Sequence, residues 1–261
     1  MDIKKWMIGA LSVLSCAMVL PAHAADLLDN IMSRGVIRVA VPTDYPPFGF
    51  VGPDMKPQGL DIEMAELIGQ KLGVKVDLVP VTAPNRVPYL QTGKTDLTIS
   101  SLGKTAQRAQ VIDFSIAYSP FFDAVFGAKE THAKTYGDLA GKTVAVTRGS
   151  MEDQELEKLA PKAVIQRYED NNSTIAAFLS GQTQFFASGT PVAAALTRRD
   201  PKLDMALKVV LSNAPCYVGI QKNQPRLLAK VNDIIRQAKK DGKLDEMSKR
   251  WMGAPTGNLP E

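Results

Sequence analysis

The sequence is poor in the residues that carry covalent and metal chemistry. Two cysteines and two histidines stand among 261 residues. Cys16 and His23 fall in an N-terminal stretch that reads as a leader, which leaves Cys216 and His132 alone in the rest of the chain. A lone cysteine makes no intrachain disulfide and no cysteine-based metal centre. A serine–histidine or cysteine–histidine nucleophile would have to use His132. That residue lies in the polar run Glu130-Thr131-His132-Ala133-Lys134, predicted to be a surface loop. Basic runs interleaved with aromatics are also missing. The net charge of +4 is small and dispersed, so it gives no case for nucleic acid as a partner.

Long apolar runs are scarce too. The one at 6–20 is too short to span a bilayer comfortably. It follows Lys4 and Lys5 and leads to Ala22-His23-Ala24, a small-x-small cleavage pattern. Residues 1–24 are therefore predicted to be a signal peptide, with a mature start at Ala25. Val13-Leu14-Ser15-Cys16 loosely resembles a lipoprotein box, but cleavage there would leave an apolar start at 17–20.

What remains alternates short apolar runs with helical patterns, the mark of α/β construction. Strands are predicted at 36–41, 74–79, 97–100, 143–146, 164–168, 185–187, 209–211 and 218–221. Helices are predicted at 61–72, stopped by Gly73, and at 151–159, opened by Ser150 with Asp153 three residues on. Others are expected from a cap at Asn172-Ser173 to Ser180, at 227–240 and at 244–251. The tail at 253–257 reads as unstructured. Two βα units of comparable layout fall before residue 120 and after residue 140.

The most informative stretch is Ile99-Ser100-Ser101-Leu102-Gly103-Lys104-Thr105-Ala106-Gln107-Arg108. A strand ends in small hydroxyl residues, a glycine turn follows, and Thr105 caps a helix with an arginine in its first turn. Helix-start N–H groups, serine hydroxyls and a guanidinium converging at one strand end suit a small carboxylate. Upstream, Tyr45-Pro46-Pro47-Phe48 offers an aromatic wall.

Several blocks in order resemble the periplasmic solute-binding proteins of polar amino-acid ABC transporters. They are 36–48 with its Tyr-Pro-Pro-Phe loop, Gln58-Gly59-Leu60-Asp61-Ile62-Glu63-Met64, Thr92-Gly93-Lys94-Thr95-Asp96-Leu97, Arg108 with Asp113-Phe114-Ser115 and Tyr118, Leu139-Ala140-Gly141-Lys142-Thr143-Val144, and Lys240-Asp241-Gly242-Lys243-Leu244. The resemblance runs from about Gly35 to Gly253. It implies an α/β, two-lobed periplasmic-binding-protein fold (type II) with two hinge strands and a ligand in the interlobe cleft. Lobe 1 would comprise 25–121 and 214–261, and lobe 2 would be 122–213. The implied protein is a periplasmic monomer that captures an amino acid or related small carboxylate by hinge closure, without a cofactor, and delivers it to an ABC transporter permease. Alternatives on the same fold are a cyclohexadienyl-dehydratase-like enzyme, with Glu152 as general acid, and a ligand-presenting sensor module.

The resemblance also assigns a site. Arg108 would hold the ligand carboxylate, with the N–H groups of Ser101 and Gly103 and one serine hydroxyl. Tyr45 would stack on the ligand, with Phe48 beside it or in the core. Arg86 stands where many relatives have an apolar residue, and it would either read a second anionic group or lie in a solvated loop, with Asn85 in the same position of doubt. Thr147, Ser150, Met151 and Glu152 would close over the ligand from the second lobe. One departure concerns the ligand ammonium: Gly189, beside Thr190, stands where the family usually has an aspartate, and a further acid usual near Pro42 is missing. Either Asp44, Glu152 or Asp123 substitutes, or the ligand is not an ordinary α-amino acid.

Overall fold

The computed structural model describes residues 26–260; the predicted signal peptide, 1–24, lies outside them. Along the chain the first half gives α1 (Leu27–Arg34), β1 (Val36–Val41), β2 (Asp44–Tyr45), β3 (Gly49–Val51), β4 (Pro57–Gln58), α2 (Leu60–Leu72), β5 (Lys75–Pro80), α3 (Arg86–Gln91), β6 (Leu97–Thr98), α4 (Ala106–Val111) and β7 (Ile112–Ser119). The second half gives β8 (Phe122–Gly127), β9 (Thr143–Thr147), α5 (Met151–Leu159), β10 (Val164–Tyr168), α6 (Asn171–Leu179), β11 (Phe185–Gly189), α7 (Thr190–Arg199) and β12 (Ala206–Asn213). The chain then returns through β13 (Cys216–Gln221), α8 (Pro225–Lys240) and α9 (Lys243–Met252).

Two five-stranded sheets result, ordered β5-β1-β6-β13-β7 and β10-β9-β11-β8-β12. The layout is the same in both: three parallel strands, a fourth that runs against them, and a fifth that pairs antiparallel with the fourth and so runs with the first three. The fourth strand of each sheet, β13 or β8, is the first one the chain makes after passing from the other sheet. The crossings, at 120–121 and 214–215, lie side by side, and the Ala214 N–H donates to the Phe121 carbonyl at 2.9 Å. This is a two-lobed α/β architecture. A small sheet, β2-β3-β4, projects from the first lobe and carries Tyr45.

The inner strands β6, β9 and β11 are buried along nearly their whole length because helices cover both sides, while the edge strands β5 and β10 stay partly exposed. Ile37, Val39, Leu97 and Ile220 are buried under α2 and α8 in the first lobe, and Val144, Val146 and Phe185 in the second. Helix ends follow local chemistry. Gly73 closes α2 at φ 72°, and the Ser150 hydroxyl accepts from the Asp153 N–H at 3.2 Å. The cap of α6 is Asp170, not Asn172-Ser173: its carboxylate accepts from the Ser173 N–H at 2.7 Å, a stronger acceptor two residues earlier than expected. The tail is ordered against the first lobe rather than loose. Thr256 and Leu259 are buried, Asp245 accepts the Thr256 hydroxyl at 2.6 Å, and Ala117 N–H reaches the Pro260 carbonyl at 3.3 Å. His132 is exposed, 4.0 Å from Asp138.

Candidate functional site

The carboxyl ends of β1 and β6 face those of β9 and β11 across the gap between the sheets, where open α/β sheets place ligands. Side chains nearly fill the cavity there. About 10 Å³ is left to water, room for roughly one molecule. A solute therefore enters only when the lobes part.

The first lobe supplies two cations. Arg86 opens α3 and is 6 % exposed; its Nε donates to Ser100 Oγ at 3.1 Å and its Nη2 to Ser101 Oγ at 3.5 Å. Arg108 is 7 % exposed and bridges the gap. Its Nη1 donates to the Gly103 carbonyl at 2.9 Å and its Nη2 to the Gly149 carbonyl of the second lobe at 3.0 Å. The Thr105 cap fixes the start of α4, accepting the Arg108 N–H at 3.1 Å. Burial, and then the nearby Arg86, lower Arg108 to about 10, still charged at neutral pH. Among the described residues both guanidiniums donate only to neutral oxygens.

Ser101 and Gly103 line the cavity, but the Ser101 N–H does not face an incoming anion. It donates to the carboxylate of Asp61 at 2.7 Å, which also accepts the Tyr118 hydroxyl at 2.6 Å. This fully buried acid holds Ser101 in the left-handed region at φ 40°. Burial raises Asp61 to about 7, against the pull of those two hydrogen bonds and of Arg86. The folded state therefore binds this proton more tightly than the unfolded chain, whose aspartates titrate near pH ~4. Stability should fall as pH rises from there towards about 7. Asp61→Asn should flatten that decline, read from urea midpoints across the range; an unchanged slope would reject the assignment.

The aromatic wall divides. Tyr45 lines the cavity and reaches across it: its hydroxyl lies 3.1 Å from Ser188 Oγ, accepts the Gly189 N–H at 3.1 Å and donates to Glu152 at 3.4 Å. Phe48 is fully buried and does not line the cavity. It packs behind, its ring centroid 5.9 Å from Tyr45 and 5.3 Å from Phe121, so it supports the wall without forming its face. Asn85 is also displaced from the site. It is exposed, and its amide turns back to Thr82 Oγ1 at 2.9 Å, because it ends the short turn before α3 and points about 100° away from Arg86 around the helix axis.

In the second lobe Thr147, Ser150, Met151 and Glu152 line the cavity. The expected helix-start donors are largely engaged within the lobe. Gly149 N–H goes to Asp153 at 3.0 Å, Ser150 N–H to the Thr147 carbonyl at 3.1 Å, and Thr147 Oγ1 to Asn171 at 2.9 Å. The Met151 side chain instead fills the space over Gly103, where an added Cβ would meet its Cγ at 2.9 Å. Gly189 and Thr190 do not line the cavity; the end of β11 presents Ala187 and Ser188 instead. An added Cβ at Gly189 would sit 2.2 Å from Phe121 Cζ, so the ring fills the space a side chain at 189 would need.

Asp44 does not replace the missing acid. Its carboxylate accepts the Asn171 N–H at 2.8 Å and its Nδ2 at 3.0 Å, at the α6 start, where the helix dipole favours an anion. Two acids do line the cavity, Asp123 on β8 and Glu152 on α5. Asp123 is fully buried; Oδ2 accepts the Ser212 hydroxyl at 2.5 Å and Oδ1 meets no donor. Burial, then the charge of Glu152, push Asp123 well above the usual carboxylate range. Asp123 is one of the three acids the sequence left open, and it is the one charged residue in β8.

Residues 37–254 match the family of bacterial extracellular solute-binding proteins, family 3. The chain belongs to this family. It is 28 % identical over 230 residues to the L-cystine-binding protein TcyJ of Escherichia coli K12, covering 87 % of this chain and 86 % of that protein. Among solved structures it is similar to a mutant of ArgBP from T. maritima, at a TM-score of 0.81 and 30 % identity, covering 87 % of this chain and 99 % of that one. It is also similar to the ancestral amino acid-binding protein AncCDT-1, a precursor of cyclohexadienyl dehydratase. There the TM-score is 0.79 and the identity 34 %, over 87 % of this chain and 100 % of the other. These relatives share the two-lobed fold described above.

Proposed function

We propose that this protein is the periplasmic receptor of an amino-acid ABC importer, released from its leader at Ala25 and acting as a monomer. The observation that carries the reading is the pair of buried guanidiniums, Arg86 and Arg108, whose donors meet only neutral oxygens in the cleft. Two buried guanidiniums with no anion in hydrogen-bond contact are costly, and a ligand carboxylate offsets that cost. In the open protein the carboxylate docks against the two arginines and the Ser101 hydroxyl. The second lobe then closes about the crossings at 120–121 and 214–215, which serve as the hinge. Three lobe-to-lobe contacts complete closure: Asp44 on the α6 start, Tyr45 on Ser188 and Gly189, and Arg108 on Gly149. The closed form is what a membrane permease engages.

A thermal-shift screen of the standard L-amino acids and L-cystine tests this. Binding at 100 times Kd should add about 2.7 kcal/mol of stability. A screen in which only uncharged or cationic solutes without a carboxylate stabilise the protein would overturn it. The buried Asp123 and Glu152 favour one second reading, elimination of water by a cleft acid. Turnover of prephenate or arogenate, lost in Glu152→Gln, would replace the receptor reading.

A further inference from the structure

We propose that the Asp123–Glu152 carboxyl pair is the seat of the ligand ammonium, and that seating an ammonium expels to solvent the proton the pair shares. The inference rests on the amino-acid reading above. It starts from the acids around the cavity: Asp44 is committed to α6, and Gly189 has no room for a side chain against Phe121. Asp123 is the remaining buried acid with an unused oxygen. It is completely shielded from solvent, it lines the cavity, and Oδ1 has no donor among the described residues. Glu152 lies beside it on the same wall. Two adjacent buried carboxyls attract each other only when one is protonated and donates to the other. An alkylammonium carries three donors, enough for Asp123 Oδ1, Glu152 and the Ser188 hydroxyl.

The step balances. Asp123 gives up its carboxyl proton to solvent as the ammonium enters, and the ammonium takes that proton's place between Asp123 and Glu152. The groups that face Asp123 are Glu152 and Glu155 on α5, Tyr45 on β2, Arg108 on α4 and Cys216 on β13. Arg108 is the one cation among them, and it favours the ionised pair once the proton has gone. Affinity should therefore rise with pH, by up to about tenfold per unit while a full proton is expelled.

Titration calorimetry tests the seat, using the standard L-amino acids, L-cystine and the deaminated counterpart of each binder, such as succinate for L-aspartate. Phosphate and Tris buffers, with different ionisation heats, report proton release. The wild type should release up to one proton with an amino acid and none with its deaminated counterpart. Asp123→Asn should abolish the release and weaken the amino acid by about 10- to 100-fold. Glu152→Gln should weaken the amino acid by a similar factor and reduce the release without abolishing it, since burial alone still raises Asp123, and it covers the case that Asp123→Asn fails to fold. An amino acid that binds without proton release, with affinity unchanged in both variants, overturns the seat and leaves the receptor reading standing. No heat with any amino acid overturns both.

Discussion

Arg108→Ala weakens the amino acid found by the screen by about 100-fold or more, while the ligand-free protein still melts cooperatively. Two losses add. A buried ligand carboxylate loses a charge-assisted, fork-shaped donor, and part of its desolvation cost is no longer offset; together these come to about 3 kcal/mol. The bridge to the Gly149 carbonyl, one of three links between the lobes, also disappears. The fold survives because the Arg108 guanidinium lies at the gap between the lobes and its other partner is a single loop carbonyl, at Gly103. Arg108→Lys should recover little, since an ammonium cannot bridge two oxygens in a fixed plane. Calorimetry giving the wild-type affinity for Arg108→Ala would show that the carboxylate docks elsewhere, with Arg86 the next candidate.

Gly189→Asp should cripple the protein instead of restoring the family's usual ammonium contact. The new Cβ would lie 2.2 to 2.9 Å from three atoms of the Phe121 ring. That ring packs against Tyr45 and Phe48, with centroids 6.5 and 5.3 Å away, so it has little room to yield. Overpacking of this kind costs about 1–3 kcal/mol, and the added carboxylate would be a third acid beside Asp123 and Glu152. Urea denaturation should show the loss. In a double-mutant cycle, Phe121→Ala should relieve it: the double variant should be more stable than the sum of the single losses by about 1 kcal/mol. Additive losses would place the clash elsewhere.

The α/β alternation and most strands were legible because glycines and caps bound short apolar runs. The Thr105 cap placed Arg108 at a helix start, where it lies. Side-chain direction was less legible. Phe48 and Tyr45 have similar character, yet one is core and the other cavity wall, and Arg86 turns inward while Asn85 turns out. Long-range partnerships left no local trace. Asp61 serves Ser101 across 40 residues, and Asp44 serves Asn171 across 127. Those two contacts explain why the Ser101 N–H is not open to a ligand and why Asp44 is not the missing acid. The tail misled because its order comes from Asp245 and Ala117, not from its own sequence.

The strand order carries a consequence for how the molecule assembles. Every strand of the β10-β9-β11-β8-β12 sheet comes from one unbroken stretch, 122–213, whereas the other sheet needs β13 inserted between β6 and β7. As the chain emerges from its N-terminus, the second sheet can therefore zip up while the first still waits for its fourth strand, leaving the edges of β6 and β7 bare until residue 221 has arrived.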